Sequence, residues 1–254
     1  MGSAMLAGWR EDGLSPSVVV DPAPAAESLA GAGVAVIADA SALPDGFAPY
    51  AVIFAVKPQN AGSILAWYSR FAQRAVFLSI MAGKLIGGMR ELLGPEAAIV
   101  RAMPNTPAAV RRGVTVATKG GNVSEGQAGL CDRLLSAIGK VAWVEDERLL
   151  DAVTAVSGSG PAYVFLLAEL MEQSAVAEGL PPDLARLLAR ETVAGSGALL
   201  AATDEESAAL RRAVTSPGGT TERALRVLMA DTAWPLLVRQ AIAAAVARSR
   251  ELAS

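Results

Sequence analysis

The stretch VTSPGGTTERAL, residues 214–225, concentrates groups suited to holding an anion. A Gly-Gly turn flanked by hydroxyls feeds a helix, so main-chain N–H groups converge at the positive end of the helix dipole. A carboxylate would be held by the N–H groups at Gly218 and Gly219 with the hydroxyls of Ser216 and Thr220, and no arginine is required. Thr221, one turn inside, is placed to reach a second group of the same ligand. Simple capping accounts for one hydroxyl, but not for two glycines and three hydroxyls together.

Four further stretches carry candidate groups. YAVIFAVKPQN (50–60) brings Ala55, Val56, Lys57 and Pro58 to the end of an apolar strand, where ligands bind in open parallel sheets. An ordinary strand-to-helix turn with a solvated lysine would look the same. RAMPNTP (101–107) also leaves a strand end. Its prolines stiffen a loop in which Met103, Pro104 and Asn105 would face a nicotinamide ring, whose carboxamide needs hydrogen bonds; the other reading has Asn105 capping a short helix. Asp21 follows the strand SVVV, where an acid pairs with the ribose hydroxyls of NAD and repels the 2′-phosphate of NADP. No Lys or Arg lies between Arg10 and Lys57, which points to NADH; a turn residue before Pro22 is the alternative. VSGSGPAY (156–163) reads chiefly as the start of a long core helix, with a secondary role beside a substrate.

These groups need elements to place them. Strand-like runs at 17–20, 33–38, 50–56, 74–80, 97–103, 114–118 and 140–144 alternate with helical stretches such as 58–71 and 124–138. That pattern predicts a parallel sheet covered on both faces. Beyond the acidic run 145–147 the strands stop, and helices are expected at about 147–156, 161–179, 182–202, 205–213, 220–230 and 233–251. The fold class is therefore α/β: a Rossmann-type parallel-sheet domain over 1–146, then an all-α domain over 147–254. At the start, Gly2, Met5, Leu6 and Trp9 form one apolar stripe of a helix, and Met1-Gly2 sit where a glycine-rich nucleotide fingerprint would end.

Composition narrows the chemistry. There is no histidine, which excludes His-based triads and imidazole metal ligands; with one cysteine, Cys131, no metal site and no intramolecular disulfide is expected, and a cytoplasmic location fits. The net charge of −3 offers no basic stripe for nucleic acid. Mean hydropathy is +0.38. Yet the apolar runs near 162–168 and 241–247 fall short of the roughly 18–20 residues of a membrane span. Arg10, Glu11 and Asp12 interrupt the first helix before a leader's apolar region could form.

The stretches AVKPQ (55–59), RAMPNTP (101–107), SGSGPAY (157–163) and TSPGGTT (215–221), in this order and spacing, resemble the pyrroline-5-carboxylate reductase family over essentially the whole chain. The resemblance implies a Rossmann domain binding NADH or NADPH. It also implies a helical domain forming an intertwined homodimer, in many members assembled into larger rings. By motif match Ala55–Pro58 and Met103–Asn105 contact the cofactor, while Ser216, Gly218, Gly219 and Thr221 hold the substrate in a cleft shared between subunits. The reaction would deliver hydride to C5 of the cyclic imine 1-pyrroline-5-carboxylate, giving L-proline, the last step of proline synthesis, with Thr221 bonding the imine nitrogen.

Family members begin with a strand and GxGxMG, of which Met1-Gly2 match the last two positions. A functional protein with about 10–15 further residues, enough for that strand and its turn, is therefore expected. Without the strand its neighbours would be left unpaired. Two rival readings remain. A β-hydroxy-acid dehydrogenase would need a lysine base in the helical domain, and no lysine follows Lys140. A non-catalytic helical dimer that has lost cofactor binding is the other.

Overall fold

The computed structural model describes residues 1–31 and 33–253. They form two compact units, residues 1–158 together with 246–254, and Ser159–Ala245. The units part beyond the 145–147 acidic run, because the chain after the last strand stays against the sheet before it leaves.

In the first unit β1 (Ser17–Val20) pairs in parallel with β2 (Val34–Ile37), with Ser17 opposite Val34. A separate sheet runs in the order β3 (Ala51–Phe54), β4 (Val76–Ser79), β5 (Ala98–Met103), β6 (Gly113–Lys119), β7 (Gly139–Trp143). Among the described residues no ladder joins β1 to β3, so each presents an unpaired edge. The sheet is parallel except between β5 and β6, which are antiparallel, with Met103 opposite Val116. The sequence reading expected parallel strands throughout. Residues 104–112 hold only a 3₁₀ turn, Thr106–Val110, and are too few for the crossover of a dozen or more residues that a parallel neighbour needs.

Alternating side chains send the central strands into two cores. Phe77 and Ile99 join Phe54, Leu65, Met89 and Leu93 beneath α2 (Ala61–Tyr68) and α3 (Ile86–Leu93). Val76, Leu78, Ala98 and Val100 join Met5, Cys131, Leu135 and Ile138 beneath α1 (Gly2–Glu11) and α4 (Glu125–Ser136). The predicted stripe of α1 buries Met5 and Leu6 completely or nearly so, and the Trp9 indole donates to the Leu134 carbonyl at 2.7 Å. Ser124 and Gln127 close a reciprocal capping box on α4.

The helix expected at 147–156 is shorter and irregular: α5 (Leu149–Val153) runs into a π turn, Thr154–Gly158. In the second unit α6 (Gly160–Ala177) packs against α7 (Pro182–Ala202), followed by α8 (Ser207–Ala213), α9 (Thr220–Leu228) and α10 (Trp234–Ala253). Gly179, at φ +94°, permits the reversal between α6 and α7. The end of α10 belongs to the first unit. Ser249 donates to Asp151 Oδ1 at 2.7 Å, and Gly83 lies so close to Leu252 that a Cβ would sit 2.7 Å from its carbonyl oxygen.

Candidate active site

The groups suited to a dinucleotide lie at strand ends of the first unit. β3 stops at Phe54 and Ala55–Lys57 lead into a 3₁₀ turn that Pro58 opens, with Lys57 exposed. The start of α1 comes close to this strand end: a Cβ on Gly2 would lie 3.2 Å from Ala55 Cβ. That is the close helix–strand approach for which the last glycine of a nucleotide fingerprint is used. Met1 occupies the N-cap, and neither a side-chain cap nor an acidic residue occupies the first turn of α1. Its leading N–H groups are therefore the kind of donors that suit a phosphate. Asp21, exposed after β1, accepts the Ala23 N–H on Oδ1 at 2.9 Å, so one carboxylate oxygen closes the turn before β2.

Arg101, only 3 % exposed, sits two residues before Met103 on β5. Its guanidinium meets Glu147 Oε1 at 2.9 Å, and the same oxygen accepts the Ile86 N–H at 2.9 Å. One carboxylate thus ties β5, the head of α3 and the segment leading to α5. The loop beyond is held by Asn105, whose Oδ1 accepts the Val114 N–H at 2.9 Å. The alternative in which Asn105 caps the short helix with its side chain is not what the structure shows; the antiparallel β6 places a main-chain donor beside it instead. The amide NH₂ of Asn105 and the second lone pair of its Oδ1 are not engaged by this bond.

Beside this loop lies the VSGSGPAY stretch, read above chiefly as the start of a helix. A Cβ on Gly158 would fall 2.7 Å from Met103 Cε, so the π turn abuts the Met103 loop directly. Its Ser157 hydroxyl is buried and has no hydrogen-bond partner. The sequence shows a serine there, but nothing in it reveals that the hydroxyl lacks a partner.

In the second unit the 215–221 turn has the predicted shape. Gly218 takes φ +74°, and the Gly219 N–H bonds the Ser216 carbonyl at 3.0 Å. Gly219 is the N-cap of α9 and no side chain caps the helix. One expectation changes: the Gly218 N–H, assigned above to a carboxylate ligand, donates to Glu222 Oε2 at 2.9 Å. The helix supplies its own carboxylate to this turn. Thr220 and Thr221 follow as the first helical residues, and with Glu222 they have N–H groups that no carbonyl of α9 can reach. Among the described residues no cluster of His, Cys, Asp and Glu could hold a metal ion.

Comparison with known proteins places this arrangement. Residues 147–252 match the model for pyrroline-5-carboxylate reductase dimerisation. The chain is 40 % identical over 203 residues to the pyrroline-5-carboxylate reductase of Pseudomonas aeruginosa, covering 80 % of this chain and 74 % of that one. The chain belongs to the pyrroline-5-carboxylate reductase family. The Synechocystis reductase is 41 % identical over 201 residues, 79 % of this chain and 74 % of its own. The reductase structure from Coxiella burnetii, 31 % identical, superposes with a TM-score of 0.91 over 100 % of this chain and 95 % of that one. The Plasmodium falciparum reductase, solved with NADP bound, gives 0.83 at 28 % identity over 100 % and 95 %.

Family membership bears on one feature of the helical half. The sequence reading found no run long enough to cross a membrane, but Leu149–Ala177 is a continuous helical run of 29 residues that is apolar enough by composition, and little of it is buried within one chain. Tyr163, Val164, Phe165, Leu166 and Leu170 are exposed on α6. This run lies inside the matched dimerisation region, so a second copy explains its apolar surface.

Proposed function

We propose that this chain reduces 1-pyrroline-5-carboxylate to L-proline with NAD(P)H, working as a homodimer in the cytoplasm. The single observation that carries the reading is the Ser216–Thr221 turn, a carboxylate-binding geometry in a chain 40 % identical to a named reductase. The alternative of a scaffold without catalysis is not favoured, since the turn and the cofactor-facing strand ends are both present. A buried Cys131 and the absence of any other cysteine suit a reducing compartment.

The residues present fit a dinucleotide. The open first turn of α1 suits phosphate, Met103–Asn105 and Ala55–Pro58 form polar, stiffened strand ends, and an orphan hydroxyl adjoins them. When bound, the reduced nicotinamide supplies the hydride. The protein's part is orientation. The Ser216 hydroxyl and the main-chain donors of Gly218 and Gly219, with Thr220, hold the substrate carboxylate; for Gly218 to take part, Glu222 must release its N–H. Thr221 hydrogen-bonds the imine nitrogen, favouring the protonated form that accepts hydride most readily. The imine is basic enough to need no strong protein acid, in keeping with a chain without histidine.

Asp21 favours NADH over NADPH, because its carboxylate would repel a 2′-phosphate and no Lys or Arg lies nearby in sequence. Higher-order rings of dimers are compatible with the apolar helical surface. The test is a steady-state assay of the full chain with 1-pyrroline-5-carboxylate and each cofactor. Proline formation with a higher kcat/KM for NADH is expected; no turnover with either cofactor would reject the assignment.

A further inference from the structure

Glu222 stands where a helix places a capping carboxylate, but it reaches past the cap. In the usual arrangement the acid at the third helical position bonds the N–H of the N-cap residue itself. Here the N-cap is Gly219, and its N–H is already held by the Ser216 carbonyl at 3.0 Å. Glu222 Oε2 instead accepts the N–H of Gly218, one residue further into the turn, at 2.9 Å. A carboxylate of the chain itself therefore sits on a main-chain donor proposed for the substrate carboxylate. One N–H cannot serve two carboxylates, whose like charges repel at such a distance. Glu222 has another place to go. Its Oε1 lies 3.5 Å from the Arg226 guanidinium one helical turn along, and the Arg226 side chain is 62 % exposed, free to take up the whole carboxylate. The turn has room for the exchange as well, since a Cβ on Gly218 would meet nothing within 4 Å.

We propose that Glu222 is a self-ligand of the substrate turn, which an incoming carboxylate displaces onto Arg226. The inference rests on the reading of 216–221 as the substrate turn, and adds to it two positioning residues that set affinity without touching the substrate. Glu222 opposes binding by the strength of its own bond to Gly218, and Arg226 eases binding by receiving the released carboxylate. The displaced bond is absent from the substrate complex and from the transition state alike, so the effect falls on KM rather than kcat. L-Proline carries the same carboxylate, and its binding is opposed equally.

The experiment is steady-state kinetics of the full chain at saturating reduced dinucleotide, with 1-pyrroline-5-carboxylate varied and L-proline added as product inhibitor. Glu222→Ala should lower KM about three- to tenfold, the reverse of losing one hydrogen bond, and lower the inhibition constant of L-proline by the same factor. Glu222→Gln keeps the length and the acceptor but not the charge, so its KM should fall between those of Glu222→Ala and the unaltered chain. Arg226→Ala removes the landing place and should raise KM about twofold, the scale of an exposed ion pair. In a Glu222→Ala background the same Arg226→Ala change should do nothing, because Arg226 acts only through Glu222. A KM that stays or rises in both Glu222 variants would leave the residue a helix cap and overturn the inference. An Arg226→Ala effect of equal size in both backgrounds would overturn it too, by showing that Arg226 acts on the substrate independently. A wild-type chain that turns over no 1-pyrroline-5-carboxylate would instead overturn the functional reading on which the inference rests.

Discussion

At the scale of single residues, the substrate role proposed for the 216–221 turn predicts a division of labour between affinity and turnover. Ser216→Ala removes a ground-state contact to the carboxylate and should chiefly raise KM. Thr221→Ala removes a contact that strengthens as charge shifts on the imine nitrogen, and should lower kcat more. Steady-state kinetics on both variants decides; equal effects confined to KM would reject the division. The Arg101–Glu147 pair makes a different prediction. Arg101 has a side chain 4 % exposed, so Glu147→Ala leaves a buried cation without its partner and also frees the Ile86 N–H. A loss of about 2–4 kcal/mol is expected in chemical denaturation, below the usual cost for a fully buried pair because Glu147 is itself 25 % exposed. The turn and the Met103 loop were legible in the sequence because glycine, proline and hydroxyl residues announce their backbone demands. Glu222 occupying the Gly218 donor, Asn105 bonding Val114 and the unpartnered Ser157 were not, since each depends on what neighbouring chain brings alongside.

At the scale of elements, α1 shows how a helix is seated by what it lacks. A Cβ on Gly8 would lie 2.6 Å from the Ala137 carbonyl oxygen, a main-chain atom with little freedom to move. Gly8→Ala would gain about 1 kcal/mol of helix propensity. Overpacking against the backbone costs about 1–3 kcal/mol, so net destabilisation with a lower melting temperature is expected. Gly129→Ala is the control on α4, where the nearest atom is a flexible Arg133 guanidinium nitrogen at 3.7 Å; there propensity wins by roughly 0.5–1 kcal/mol. On the same helix, burial pushes the Cys131 thiol up to about 12. The folded state therefore keeps its proton where the unfolded chain releases it, and stability should fall as pH rises from about 9 toward 12. Cys131→Ala would flatten that decline in pH-dependent melts. The strand positions were readable from apolar runs bounded by turns. Strand direction was not: β6 runs antiparallel because of the short connection before it, a property that side-chain pattern does not encode.

At the scale of the molecule, the helical half has few buried side chains of its own: α7 buries Ala185 and Ala189 and α6 none. Association should then supply much of its stability, and the melting temperature should rise with protein concentration. Phe165→Glu, at a residue 67 % exposed in the single chain, should shift the protein toward monomer in light scattering and lower its melting temperature. An unchanged mass and melt would exclude α6 from the interface. The return of α10 to the first unit left no mark in the sequence, because Ser249 and Arg250 meet Asp151, and Leu252 meets Gly83, only once residues distant in the chain are brought together.

That return has a consequence for biogenesis. Residues 246–253 complete a unit whose other part ends at Gly158, with all of Ser159–Ala245 translated in between. The nucleotide-type half is therefore topologically discontinuous, and a nascent chain emerging from the ribosome must leave Asp151 and Gly83 uncovered until the intervening helices have been made.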